Sequence, residues 1–413
     1  MSLPLTTYDA IVVGAGPAGS HVAYLLARTG RRVAILDKQR FPRDKVCGGG
    51  LSRKSIALLD VDITPVVHNW ITGAFLTFQN RSAVIKDLHF AAACTVLRDE
   101  FDQMLLTRAC DAGAHFFGET TFFDLHEHGA GVTAITSRGE FTGRRLFAAD
   151  GVGSAVRTKV FGKRLVSYAP VLEALVDVPD AALQSFGDRA VFDFGGMPKG
   201  YGWIFPKRDH LNVGIYSPFG GTALRQHLRG FIDRYPALRR PRRIEYRGCA
   251  IPLRNEAGVY ERGPVVLLGD AAGLAESVFG EGIYFALKSA ALAAQAESAR
   301  DSGAHSVPYT QLLRHELLPE LRAAKLLAEG LFTFQEFTFR HAVCNDRINQ
   351  FFAGLITGDT GYRECLRKTV LAAPMWISRS APSSNVVIAT ALDHVVNVEP
   401  EQITRATYCR WRG

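Results

Sequence analysis

Gly14, Gly16 and Gly19 stand in the spacing G-x-G-x-x-G, and an acid, Asp37, follows them. Such residues can hold a dinucleotide. The first glycine permits a tight turn, the second lets a pyrophosphate approach the backbone, and the third lets a helix pack on a strand. The acid accepts hydrogen bonds from a ribose hydroxyl. Two later acids also sit beside small residues, in Asp150-Gly151 and in Gly269-Asp270-Ala271-Ala272-Gly273. A different chemistry is open to Cys47, which is followed by Gly48-Gly49-Gly50. A thiol has a reference pKa of about 8.5, so it carries a proton at neutral pH, and burial raises that value.

These residues need elements to position them. Asp9 to Val13 reads as a buried strand that delivers the glycines. His21 to Thr29 reads as a helix with Val22, Ala23, Leu25 and Leu26 on its packing side, stopped by Gly30. Arg32 to Leu36 reads as a second strand that ends at Asp37. The helix N-terminus offers unpaired N–H groups and partial positive charge to a phosphate. Apolar strands are also expected at Arg145 to Ala149 and from Pro264 to Leu268, each ending in an acid. One long ligand laid across several strand ends explains all three sites, and a flavin dinucleotide is such a ligand. Gly280-Glu281-Gly282 opens a strong helix, Ile283 to Arg300. Its N-terminus is expected at the pyrimidine end of the flavin, where it stabilises negative charge by roughly 0.3–2 kcal/mol and raises the reduction potential.

Between these strands the pattern changes. Lys38 to Leu51 is a long loop at a strand end, where open α/β sheets bind ligands. A helix is expected over Ser52 to Leu59, short strands over Ala74 to Phe78 and Ser82 to Ile85, and a helix over Val96 to Gly113 with Phe101, Met104, Leu105 and Ala109 on one face. Residues 115–147 read as a β-meander. Residues 160–250 are strand-rich, with period-2 segments at Val171–Val176, Ala190–Phe194 and Leu211–Tyr216, and read as an inserted antiparallel β-domain. Tyr201, Trp203 and Phe205 alternate with Gly202 and Ile204, so one strand face presents three aromatics. From Val307 the chain reads helical, with Phe332, Phe334, Phe337, Phe339, Phe351 and Phe352 expected mainly in the core.

Composition excludes several classes. Of 413 residues, 47% are hydrophobic and 21% charged, as in a globular chain. No uncharged apolar run is long enough to span a bilayer. Seven scattered cysteines, with no C-x-x-C pair, argue against a disulfide framework and for a reducing, cytoplasmic setting. The net charge of +8 favours anionic partners. Neither a metal-binding pattern nor a nucleic-acid motif is present.

The set Gly14-Ala15-Gly16-Pro17-Ala18-Gly19, Arg98 with Phe101-Asp102, Asp150-Gly151 and Gly269-Asp270-Ala271-Ala272-Gly273 resembles the flavoprotein group of aromatic hydroxylases, halogenases and prenyl reductases. Within that group, Lys45-Val46-Cys47-Gly48-Gly49-Gly50 and Tyr201-Gly202-Trp203-Ile204-Phe205-Pro206-Lys207 resemble the geranylgeranyl reductase family, as does Gly358-Asp359-Thr360-Gly361-Tyr362 in the tail. The resemblance implies an α/β fold: a Rossmann-like FAD-binding domain, an inserted antiparallel β-sheet substrate domain and a helical C-terminal region. It implies FAD-dependent saturation of carbon–carbon double bonds in isoprenoid chains. One departure is that Glu276-Ser277 stands where the family usually shows an Asn-Pro pair.

The expected cofactor contacts are Gly14, Gly16, Pro17, Ala18, Gly19, Asp37, Lys38, Lys45, Cys47, Gly48, Arg98, Asp150, Gly151, Gly269, Asp270, Gly280, Gly282 and Ile283. The expected catalytic residues are Cys47, as proton donor or as a group that orients the alkene, with Tyr201 and Trp203 lining a prenyl-chain cavity. A small packed cysteine and an ordinary aromatic core would give the same patterns. The expected segments are 1–65, 93–160 and 251–300 for FAD binding, 66–92 and 161–250 for substrate, and 301–413 for a helical C-terminal domain. The electron donor is expected to be NAD(P)H or an acidic carrier such as ferredoxin, because no second dinucleotide unit exists. Peripheral contact with the inner face of a membrane is a further expectation, since the substrates are lipid-like. The rival readings are an FAD-dependent monooxygenase and a halogenase. A halogenase normally shows Trp-x-Trp-x-Ile-Pro, which only Trp203-Ile204-Phe205-Pro206 approaches.

Overall fold

A computed structural model describes residues 7–378, apart from 130, 163–165, 256–257, 302–306 and 344–345. Cys344 and Cys409, counted in the sequence, lie outside the described residues, as does the tail from 379 onward. The chain divides into two compact units, each built from three segments. The first comprises 1–45, 98–168 and 251–321; the second comprises 46–97, 169–250 and 322–413. Residues 46–65, expected with the cofactor segments, thus belong to the second unit, and so do the helices from 322 onward.

The first unit is organised on a sheet whose strands Val265–Leu267, Gly139–Ala148, Thr7–Val13, Val33–Leu36 and His115–Phe117 all run parallel. Thr7–Val13 lies at its centre and is buried on both faces, as its continuous apolar run requires. Val13 pairs with Leu36 on one side and with Ala148 on the other, and Ala148 pairs with Leu267. The turns at Gly14, Asp37, Asp150 and Gly269 therefore leave the same edge of one sheet. Helices Pro17–Ala27, Arg98–Asp111 and Ile283–Asp301 complete the unit. The stretch after His115–Phe117 is a meander, Phe122–His128, Gly131–Thr136 and Gly139–Ala148, as its turns predicted.

The second unit holds a seven-stranded sheet in the order Arg243–Asn255, Val166–Asp177, Leu211–Tyr216, Tyr201–Pro206, Arg189–Phe194, Gly73–Phe78, Ser82–Asp87. Most neighbours are antiparallel, but Arg189–Phe194 and Gly73–Phe78 run parallel, so the sheet is mixed rather than antiparallel throughout. This pairing joins the two inserted segments. A three-stranded sheet, Gly50–Ser52, Ala93–Val96 and Val67–Ile71, belongs to the same unit. The helix expected over Ser52 to Leu59 is a single turn, Arg53–Ile56, capped by the Ser52 hydroxyl. Helix Leu224–Arg234 covers one face of the large sheet, with Phe231 lying on Gly202, where a Cβ would come within 2.9 Å of the ring. Among the C-terminal aromatics, Phe332 and Phe339 are buried as expected, whereas Phe334 is 65% exposed and Phe337 is exposed as well. Among the described residues no helix is long and apolar enough to cross a membrane.

Candidate functional site

The first unit offers a cradle for an anion. Gly14 has φ +101°, and a Cβ there would lie 2.3 Å from the Ala149 carbonyl oxygen, so only glycine makes this turn. A Cβ on Gly19 would lie 1.8 Å from the Gly14 carbonyl oxygen, so the helix and the turn meet with no side chain between them. Pro17 and Ala18 are buried in the first turn of that helix. The Asp37 carboxylate accepts hydrogen bonds from the N–H groups of Ala15 (2.8 Å) and Gln39 (2.9 Å). It braces the glycine turn from the place where a ribose binds in this fold. Lys38 beside it is exposed.

Arg43, in the loop after Asp37, lies against the same turn. Its Nη2 is 3.5 Å from where a Cβ on Gly16 would be and 2.9 Å from Asp102 Oδ2. Asp102 is fully buried and also accepts two bonds from Arg98, at 2.8 and 2.7 Å. Two guanidinium groups thus share one carboxylate, and the trio carries net positive charge. Arg43 Nη1 is buried with no hydrogen-bond partner. An unsatisfied guanidinium N–H beside a glycine turn is what a phosphate oxygen completes. These residues fit FAD: Arg43 and the glycine turn would hold its pyrophosphate, and Asp37 its ribose.

The other strand tips stand on the same edge. Asp270 Oδ2 lies 3.3 Å from Lys45 Nζ, and its Oδ1 is 3.3 Å from where a Cβ on Gly282 would be. Gly151, Gly269 and Gly280 all have positive φ. Asp150 differs from the expectation. Its carboxylate accepts from the Ser154 hydroxyl and from the N–H groups of Ala155 (2.7 Å) and Val156 (3.2 Å). It is taken up in capping helix Ala155–Phe161, which leaves the backbone at Gly151 to meet a ligand. Ile283 is buried in the first turn of Ile283–Asp301.

Two further residues of this unit shape the strand-tip loops. Buried Arg157 donates to the carbonyls of Ala271 (2.9 Å) and Val152 (2.8 Å), tying two strand-tip loops together. Glu276, fully buried, accepts from the N–H groups of Val278 (2.6 Å), Phe279 (2.7 Å) and Glu281 (2.9 Å). It shapes the approach to Gly280 at the point where the family usually has Asn-Pro.

The second unit holds the thiol. Gly49 N–H donates to Cys47 Sγ at 3.4 Å, and the cysteine is half-buried rather than enclosed. The glycines after it are required by what lies against them. A Cβ on Gly48 would come within 3.2 Å of Trp203 Nε1, one on Gly50 within 3.1 Å of Phe205, and one on Gly49, at φ +65°, within 2.1 Å of the Val96 carbonyl oxygen. Tyr201, Trp203 and Phe205 do form one row, with ring centroids 6.3 and 6.1 Å apart. Trp203 Nε1 donates to Asn212 Oδ1 at 2.7 Å, which holds the indole against Gly214.

Below this loop are two buried ionisable groups, Lys207 and Glu173. Lys207 Nζ donates to the carbonyls of Gly48 (2.8 Å) and Val96 (2.9 Å). Burial pulls its pKa down to about 8, against the opposing pull of Cys47, Glu173 and Cys94. Burial raises the carboxyl of Glu173, while Asn212 and the Cys47 N–H draw it the other way. Burial also pushes the Cys94 thiol up to about 12.

Comparison with known proteins agrees with this geometry. Residues 7–191 match the FAD binding domain model. Geranylgeranyl diphosphate reductase from Rhodobacter capsulatus is 31% identical over 303 residues, covering 71% of this chain and 75% of that protein. The chain belongs to the geranylgeranyl reductase family of FAD-dependent oxidoreductases. Menaquinone reductase from Mycobacterium tuberculosis is 30% identical over 327 residues, covering 71% of this chain and 77% of that one. The family fold is shared with the crystal structure of a geranylgeranyl bacteriochlorophyll reductase-like protein from Thermoplasma acidophilum. That structure is 22% identical, covers 91% of this chain and 98% of its own, and superposes with a TM-score of 0.69.

Proposed function

We propose that this geranylgeranyl reductase family member saturates carbon–carbon double bonds of an isoprenoid chain of the geranylgeranyl type. The observation that carries the reading is Cys47 in its glycine loop, with the Gly49 N–H on its sulfur and Trp203 and Phe205 packed on the glycines beside it. The reductases named above, for geranylgeranyl diphosphate and for menaquinone, support an isoprenoid substrate. FAD, once reduced by NAD(P)H or a carrier such as ferredoxin, supplies the hydride. An isolated alkene accepts hydride poorly, so the neighbouring carbon must receive a proton at nearly the same time. Cys47 provides it, its S–H bond breaking as the C–H bond forms. The row of Tyr201, Trp203 and Phe205 packs the apolar chain and keeps water from it. The exposed Phe334 and Phe337 support a peripheral membrane contact through which such a chain would arrive; flotation with anionic vesicles at low salt tests that contact.

Turnover of geranylgeranyl diphosphate by the Cys47→Ser variant tests the main reading. Serine is a far weaker acid, so the variant should keep its FAD and lose at least about 100-fold in turnover. Full turnover with normal FAD content would remove Cys47 from the reaction.

A further inference from the structure

The reaction above leaves the buried pair under the Cys47 loop without a task. A protonated amine has three N–H bonds, and Lys207 commits two of them, to Gly48 and Val96. Its Nζ lies so close under the loop that a Cβ on Gly49 would be 2.7 Å away. Glu173 is 1% exposed, and its Oε2 has no hydrogen-bond partner. Desolvating an ammonium and a carboxylate costs several kcal/mol each, and apolar side chains of the same volume would fill this space at less cost. The groups facing Lys207 are Cys47, Glu173, Cys94 and His210; those facing Glu173 are Lys207 and Arg247. Lys207 is also one of the residues lining an open cavity of about 870 Å³, with His68, Asp209 and His210.

We propose that Lys207 and Glu173 are positioning residues that recharge Cys47: Lys207 holds the thiol loop, balances the thiolate left after the substrate is protonated, and returns a proton to it, while Glu173 keeps the amine charged between turnovers. This deepens the reading of Cys47 as proton donor and rests on it. In each cycle the Cys47 S–H bond breaks as a C–H bond forms on the alkene. An S–H bond then re-forms as a Lys207 N–H bond breaks. The neutral amine regains its proton from solvent, so one solvent proton is consumed per double bond. An amine with a pKa near 8 can both give and regain a proton at neutral pH.

The test is the rate at which iodoacetamide alkylates Cys47 in the FAD-loaded full chain, followed by peptide mass spectrometry between pH 6 and 10. Removing the cation in Lys207→Met should slow alkylation by about tenfold, and Glu173→Gln, whose amine loses its proton more readily, should slow it at pH 8 but not at pH 6, where the amine is still charged. A loosened loop would speed alkylation of both variants at every pH; that outcome, or a Lys207→Met rate equal to the wild type, overturns the proposal. Lys207→Arg separates charge from proton return, because a guanidinium keeps its proton. It should alkylate at a rate near that of the wild type, yet turn over geranylgeranyl diphosphate about tenfold more slowly. Wild-type turnover in Lys207→Arg overturns proton return. If Cys47→Ser turns over normally, the donor reading fails, while the alkylation rates still report on the pair.

Discussion

Arg43 is the residue that most directly ties this chain to its cofactor. A buried guanidinium N–H with no partner should gain a charge-assisted bond when a phosphate arrives. Arg43→Met should therefore weaken FAD binding by about 10–100-fold, the equivalent of roughly 1.5–3 kcal/mol. Flavin fluorescence titration of the apoprotein measures this, and unchanged affinity would place the pyrophosphate elsewhere. The glycine turn and Asp37 were legible in the sequence because strand, turn, helix and acid follow one another. Arg43 stands in the long loop after Asp37, but its tie to Asp102 arises only through folding. Asp150 has local partners as well. It was read as an acid at a strand end, although Ser154, four residues on, already offered a helix to cap.

At the scale of elements, the helix that follows the glycine turn carries a buried titratable group. Burial, assisted by the positive charge of Arg108, pulls the His21 imidazole down to about 4. An unfolded histidine binds its proton at about 6.5. The unfolded chain thus takes up a proton first as pH falls, so the stability held above pH 6.5 is lost as the pH drops toward 4. The loss is on the order of 3 kcal/mol. The urea midpoint should fall over this range more steeply in the wild type than in His21→Leu; parallel curves would contradict it. The strands themselves were readable from period-2 alternation, but their partners were not. The sequence reading took the inserted domain as antiparallel, whereas Arg189–Phe194 lies parallel to Gly73–Phe78, a pairing between segments far apart in the chain. The single turn Arg53–Ile56 was overextended because apolar spacing continues past the point where its capped hydrogen bonds end.

At the scale of the molecule, the chain passes repeatedly between two units, and one crossing falls between Lys45 and Val46. Lys45 pairs with Asp270 in the first unit, while Cys47 belongs to the second. Glu173 has no local signal in the sequence: it comes opposite Gly214 only when Val166–Asp177 pairs with Leu211–Tyr216. The decisive measurement is the mass of the product formed when the reduced, FAD-loaded protein meets geranylgeranyl diphosphate without oxygen. Each reduced bond should add the mass of two hydrogen atoms. In deuterated water both added atoms should be deuterium, because the Cys47 S–H and the reduced flavin both exchange with solvent, and the Cys47→Ser variant should turn over at least about 100-fold more slowly. A product that forms only in air and gains an oxygen atom, or full reduction by the serine variant, would contradict saturation by a thiol-fed hydride transfer.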